Sequence, residues 1–319
     1  MKRAARSLAS VLSGVLGRTS GALLTLVALA TLVFLALRLL PGDPAALVLG
    51  EQAPRASSPT CQRLGLDQPL VVQYLHFLAG LARLDLGDSL ARPGTRARSR
   101  RWAERSGPTA GLAGLSVALG SLLGISVAVL SVGPWLGARR EWLHRATLAV
   151  AALPLLAFAP LATYVFAVRA AWVPLPGDPE SGLAGLGFAA GLLALPLAAQ
   201  VARIGRAALL DLGRAKFLDA ARARGGSAFR VWVIHALPAA SAPISVVIAA
   251  QLGALLGGAV VLEKLFERPG LGTLMLSAYA ARDIPVLEAS VVAAGLLFVA
   301  VQALAAALSA GIDPRGRGT

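Results

Sequence analysis

The chain has 319 residues, of which 56% are hydrophobic, and a mean hydropathy of +0.71, far above a soluble globular domain. Its net charge of +14 is a footprint that nucleic-acid binders also carry. Aromatic residues make up only 5%, however, and the basic residues stand between apolar runs instead of interleaving with stacking rings, so the composition points to a membrane protein and away from nucleic acid. The single cysteine, Cys61, excludes an internal disulfide and a cysteine-rich metal site and reads as an inert small residue.

Six apolar runs, each near the roughly 20 residues that cross about 30 Å of hydrocarbon, predict an all-α polytopic membrane protein with six transmembrane helices. Residues 1–20, with Lys2, Arg3, Arg6 and Arg18, are expected to be cytoplasmic. The first span, 21–40, is too long for a signal peptide, and Arg38-Leu39-Leu40-Pro41 is not a small-residue cleavage site. Residues 41–108 form an expected external loop, although Arg92, Arg96, Arg98, Arg100, Arg101 and Arg105 crowd its end. The positive-inside bias acts on loops shorter than about 60 residues, so a longer loop can be translocated despite its charge.

A five-helix core follows over 109–310, with spans at Thr109–Val132, Ala146–Val168, Gly182–Val201, Ala239–Val261 and Val286–Ala310. The second span carries Gly111, Gly114, Gly120 and Gly124. In lipid such residues let helices pack backbone to backbone, although flexibility or pore lining would use the same residues. Arg139, Arg140 and Arg145 place the next connection inside, Trp172–Ser181 has no basic residue and is expected outside, and the tail 311–319 returns with Arg315 and Arg317 to the cytoplasm.

The connection at 202–238 is the most informative. Arg203, Arg206, Arg214, Lys216, Arg222, Arg224 and Arg230 face only Asp211 and Asp219, which puts the segment in the cytoplasm. On charge alone it reads as a solvated loop against lipid headgroups. Its residue order goes further. Phe217–Arg224 predicts a short helix of good formers, Gly225-Gly226 can end it, and Ser227 offers an N-cap for an amphipathic piece carrying Phe229, Trp232 and Val233. Pro238 stands where a new membrane helix can begin with few backbone bonds lost. Ala220 and Ala221 are small enough for another protein to approach closely.

Asp219-Ala220-Ala221-x-x-x-Gly225, followed by Leu237-Pro238, resembles the "EAA" loop of permease subunits of ABC importers, with Asp219 in place of the nominal glutamate and His235 in place of the usual isoleucine. The flanks resemble the peptide and nickel branch, in particular the first of its two permeases. They comprise Pro41-Gly42-Asp43-Pro44, Leu64-Gly65-Leu66-Asp67-x-Pro69-Leu70-x-x-Gln73-Tyr74 and Asp85-Leu86-Gly87-Asp88-Ser89. Further on stand Glu263-x-x-Phe266-x-x-Pro269-Gly270-Leu271-Gly272, Arg282-Asp283-x-Pro285 and Asp313-Pro314-Arg315.

The resemblance implies a type I importer architecture in a bacterial or archaeal plasma membrane, a second homologous permease, two cytoplasmic ATPase subunits and an external solute-binding protein. It also implies that the 202–238 loop docks on the ATPase. ATPase coupling is thereby expected of Asp219, Ala220, Ala221, Arg222, Arg224, Gly225, Leu237 and Pro238. The outer mouth or receptor side is expected of Glu263, Phe266, Pro269, Gly270, Gly272 and Asp283. Arg222 and Arg224 are expected to add attraction to an acidic groove rim, within the roughly 0–1 kcal/mol of an exposed ion pair.

Chemistry that the chain lacks agrees. With lysine only at positions 2, 216 and 264, no Gly-x-x-x-x-Gly-Lys-Ser/Thr cradle exists, so ATP would bind on another polypeptide. No catalytic signature, cofactor or metal site is expected; His76, His144 and His235 fall in three different segments. The second to fourth spans hold no Asp, Glu, Lys, Arg or His, which argues against the alternative of an ATP-independent channel or secondary carrier. Arg38, Glu263 and Glu288 are placed near span ends, where the interface would solvate them. The apolar spans do not discriminate among peptides, nickel chelates and related solutes.

Overall fold

A computed structural model describes residues 20–36, 38, 68–83, 98–281 and 283–312, all helix, turn or connection without strand. Pro41–Pro44, Cys61, Leu64–Asp67, Asp85–Ser89, Arg282 and Asp313–Arg315 lie outside the described residues, as do Lys2, Arg3, Arg6, Arg18, Arg92, Arg96 and Arg317. Two compact units divide the chain: Met1–Ser106 with Leu274–Val299, and Gly107–Thr273 with Ala300–Thr319. The described helices are α1 Ser20–Ala36, α2 Leu70–Ala82, α3 Arg98–Val132, α4 Arg139–Ala152, α5 Leu155–Thr163, α6 Gly182–Leu212, α7 Lys216–Ala223, α8 Ser241–Leu265, α9 Leu271–Ala280 and α10 Ile284–Ile312.

Among the described residues, four helices are long and apolar enough to cross a membrane: α3, α6, α8 and α10. One further helix pair passes the same test together, bent at a break. The run predicted at Ala146–Val168 consists of α4 and α5, bent by 103°. Its break lies at Leu153, where ψ of 122° leaves the helical region because a residue before proline is pushed out of it by the pyrrolidine ring. Pro154 then opens α5, its carbonyl accepting from the Ala157 and Phe158 amides. The first predicted span is represented by the shorter α1.

Two boundaries shift. Helix α3 already begins at Arg98 and runs on through Gly107-Pro108, and α6 continues past Val201 to Leu212, where no glycine or proline stands at the expected end. Arg203, Arg206 and Asp211 therefore stand on a helix and not in a loop.

In the larger unit α6 is central, packing on α4, α5 and α8. Two glycines of α3 lie at its contact with α6. A Cβ on Gly120 would lie 2.9 Å from the Ala194 carbonyl oxygen, and one on Gly124 would lie 2.6 Å from Val201 Cβ, so backbone approach is what these residues supply. Gly111 and Gly114 have open space where a Cβ would be and do not share that role.

In the smaller unit α1 and α2 meet through Phe34, whose ring lies 5.2 Å from that of Tyr74 and 5.6 Å from that of Phe77. The Thr31 and Tyr74 hydroxyls share a 2.6 Å hydrogen bond.

Candidate functional site

The loop after α6 is built by short-range rules. Helix α6 ends with Gly213 as its C-cap, and the Ala215 amide reaches back to the Leu212 carbonyl at 2.8 Å. Ala215 is extended and launches α7, which turns Leu218 and Ala221 inward, both buried. Gly225 then takes φ of +75°, a left-handed conformation that costs side-chain-bearing residues roughly 1–2 kcal/mol. The Gly226 amide returns to the Ala221 carbonyl at 3.1 Å, closing the helix end as a glycine C-cap does. A Cβ at Gly226 would meet that same oxygen at 2.7 Å.

Ser227 starts the next piece as the sequence predicts, its carbonyl accepting from Val231 and its hydroxyl from the Arg230 amide at 3.4 Å. Arg230–Ala236 is a π-helix, and the turn Leu237–Ala239 follows it. Pro238 explains the wide turn: it has no amide to donate to residue 234, and its ring crowds that carbonyl.

The expected coupling residues separate into two sets. Ala220 and Arg224 present an outer face, flanked by two aromatic residues outside the expected set, Phe217 (45% exposed) and Phe229 (59% exposed). Ala221 is buried, so only Ala220 of the alanine pair offers close approach. Arg222 is engaged within the loop. Its Nη1 lies 2.7 Å from Asp219 Oδ1, and Nη1 and Nη2 lie 3.3 and 3.4 Å from the Gly213 carbonyl oxygen. Its guanidinium carbon stands 5.9 Å from the Trp232 ring centroid. Arg224 bonds only its own helix in the described contacts, Nε to the Ala220 carbonyl.

A second constellation surrounds Glu263 in the last turn of α8. The side chain is buried at 1% exposure. Its Oε1 accepts from the Thr109 hydroxyl at 2.5 Å, and its Oε2 accepts from the Gly272 and Thr273 amides at 2.8 and 3.2 Å. Thr109 Oγ1 in turn accepts from the Leu271 amide at 2.9 Å. A carboxylate thus satisfies the orphan donors at the start of α9, and proximity leaves no room for side chains at Gly270 or Gly272. Phe266 is buried, its ring 5.7 Å from that of Phe188. Of Glu263, Phe266, Pro269, Gly270 and Gly272, only Pro269 is exposed; the others position backbone. Asp283 belongs to the smaller unit, where it is buried and accepts from the Val286 amide at the start of α10.

The expectation that the interface solvates Arg38, Glu263 and Glu288 is corrected. Arg38 Nη1 bonds Glu288 Oε1, with side chains 16% and 8% exposed. Arg38 Nε donates to Gln73 Oε1 at 3.1 Å, and its guanidinium lies 3.7 Å from the Phe34 centroid. Charges this far from water need such partners, and of the three contributing residues two are 35 and 250 positions from Arg38 and the third, Phe34, is four positions before it. No local pattern announces that pairing. Arg206 is similar: its Nη1 donates to the Ser131 carbonyl at 2.7 Å and its Nη2 lies 3.4 Å from Glu141, joining the ends of α3 and α4 to α6. Thr109 was legible only as the first residue of a span, and Trp232 only as part of an amphipathic piece.

Two family profiles cover most of the chain: "Binding-protein-dependent transport system inner membrane component" over residues 115–318, and the N-terminal membrane component of such systems over residues 11–89. The chain is 34% identical over 312 residues to a glutathione transport system permease protein of Salmonella choleraesuis, covering 95% of this chain and 98% of the relative. It is 35% identical over 304 residues to the glutathione transport system permease protein of Pectobacterium atrosepticum, covering 93% and 96%. It is also 35% identical over 319 residues to a putative peptide transport system permease protein of Brucella abortus, covering 95% and 98%. Such permeases are multi-pass membrane proteins that work with a solute-binding protein and other transport subunits. On this whole-length match, the chain belongs to the family of binding-protein-dependent transport system inner membrane components, as a permease subunit of an ABC importer.

Proposed function

We propose that the chain is one of two homologous permeases that together enclose the translocation path of an importer for short peptides, with both termini in the cytoplasm. Two ATPase subunits dock from that side, one of them on the 217–238 loop, and a solute-binding protein delivers substrate outside. The peptide assignment rests on the relatives, a glutathione transport system permease protein and a putative peptide transport system permease protein. The absence of a P-loop from the sequence supports ATP hydrolysis on a partner chain.

The observation that carries the docking reading is the outer face of α7 and the piece after it. Phe217 and Phe229 are exposed aromatic side chains flanking the small Ala220 and the basic Arg224, on a cytoplasmic loop where no lipid tail would cover them. Buried aromatic anchors dominate protein interfaces, and a small residue between them lets a groove close on the helix. ATP depletion at a clamped ion gradient tests the proposal: uptake of a labelled short peptide by cells expressing the complete system should stop. Uptake that continues would make the chain part of an ion-driven carrier.

A further inference from the structure

Arg222 is the residue whose surroundings fit the docking role least. At eight residues, α7 is too short to hold its own shape or direction, since isolated helices below about 12–15 residues are marginal. Something must fix it to the rest of the chain if its displacement is to be felt there. Leu218 and Ala221 supply the apolar part. The polar part converges on one guanidinium, which reaches Asp219 within α7, the carbonyl of Gly213 at the C-terminus of α6, and the ring of Trp232 in the π-helix. Trp232 closes the arrangement from the other side, its ring edge 3.6 Å from the place a Cβ on Gly213 would occupy.

Three consecutive elements therefore meet at Arg222. A cation is also favoured at a helix C-terminus by the peptide dipoles, which is where Gly213 presents its carbonyl. Arg224, two positions on, makes no comparable link in the described contacts.

We propose that Arg222 is a positioning residue that ties α7 to the end of α6. On the functional reading above, a push on α7 by the ATPase is thereby passed to the 31-residue helix at the centre of the larger unit. Arg222 does not itself contact the ATPase; Arg224 is the cation left for that surface. The tie requires the planar guanidinium. It presents several donors in fixed directions to Asp219 and Gly213 while its face lies toward Trp232, and a lysine ammonium, a point charge on a flexible stem, cannot make all three contacts together.

The lysine variant separates the two roles, because it keeps the charge and loses the fork. Spin labels on Leu210 of α6 and Ala223 of α7, in a Cys61→Ser background, report the distance between the helices in the lipid-reconstituted complex, nucleotide-free and vanadate-trapped. Wild type and Arg224→Gln should give one narrow distance in both states. Arg222→Lys and Arg222→Gln should give a broadened distance that changes on trapping. In parallel, retention of the ATPase subunit through a salt titration should stay within about twofold of wild type in Arg222→Lys and Arg222→Gln, and fall in Arg224→Gln, as expected for a rim charge.

A narrow, unchanged distance in Arg222→Lys would overturn the tie, as would loss of ATPase retention in Arg222→Gln that Arg222→Lys restores. If wild type retains no ATPase, the docking reading fails, and the label distances in the solubilised full chain still decide whether Arg222 holds α7 to α6.

Discussion

A Cβ built on Gly270 would lie 2.1 Å from Cδ of Glu263, so the glycine and the buried carboxylate occupy one site by mutual exclusion. That carboxylate, held by Thr109 and by the first amides of α9, joins three elements of the larger unit. Gly270→Ala should displace it and destabilise the protein. Glu263→Gln presents an NH₂ group where donors already point, and leaving buried donors unmatched costs about 1–3 kcal/mol. Thr109→Val should cost a similar amount by removing the hydroxyl between Glu263 and Leu271. Thermal unfolding of the detergent-solubilised chain, followed by tryptophan fluorescence, measures all three; unchanged transitions would show that the network adds nothing to stability.

The Arg38–Glu288 pair predicts an asymmetry between single and double substitutions. Arg38→Met removes the guanidinium bonded to the buried Glu288, and breaking one side of a comparable buried pair costs about 3–5 kcal/mol. Arg38→Met with Glu288→Leu should recover much of that loss, because neither charge is then stranded. A double-mutant cycle on denaturation midpoints tests this. Additive losses would mean that the two side chains do not act as a pair.

Glycines in α3 should behave in opposite ways. Gly124→Ala forces a methyl into the backbone of α6, near Ala198 and Val201, and overpacking of this kind costs about 1–3 kcal/mol. Gly114→Ala enters open space and removes a flexible helix residue, a change worth about 0.4–1 kcal/mol of added stability where the site accepts it. Detergent stability assays of the two variants side by side would settle the matter, and equal effects would contradict close helix packing at Gly124.

Gly225 is needed for its φ of +75° and not for space, since a Cβ there meets nothing within 4 Å. Asparagine tolerates the left-handed region better than a β-branched residue does. Gly225→Asn should therefore retain most transport and Gly225→Val should lose it, with both variants still inserted in the membrane. Equal uptake by the two would remove backbone conformation as the explanation.

What the sequence makes legible here follows from the range of the interactions. The coupling loop is local: a short helix, a glycine end, a serine start and a proline all act within a few residues, and Lys216–Ala223, Gly225 and Ser227 stand close to where pattern reading puts them. The long apolar helices are legible for the same reason. The break at Leu153-Pro154 was written in a dipeptide, yet the unbroken apolar run around it outweighed that signal. The pairings of Arg38 with Glu288, Glu263 with Thr109 and Arg206 with Ser131 were hidden because each closes only in the folded chain, across 75 to 250 residues. An ionisable residue near the end of an apolar run looks the same whether water or protein satisfies it. The contact of Arg222 with the Gly213 carbonyl was hidden for a related reason, since charge in a loop says nothing about which carbonyl lies beside it.

The proposed function turns on the 217–238 loop as the place where an ATPase docks. Affinity purification of the solubilised chain from cells expressing the complete system, wild type against Gly225→Val, tests that most directly. A P-loop ATPase should co-purify in stoichiometric amount with wild type and be lost or weakened with the variant, while both chains are extracted equally. A stable complex without any ATPase, or one whose ATPase is indifferent to Gly225→Val, would contradict the docking role of this loop.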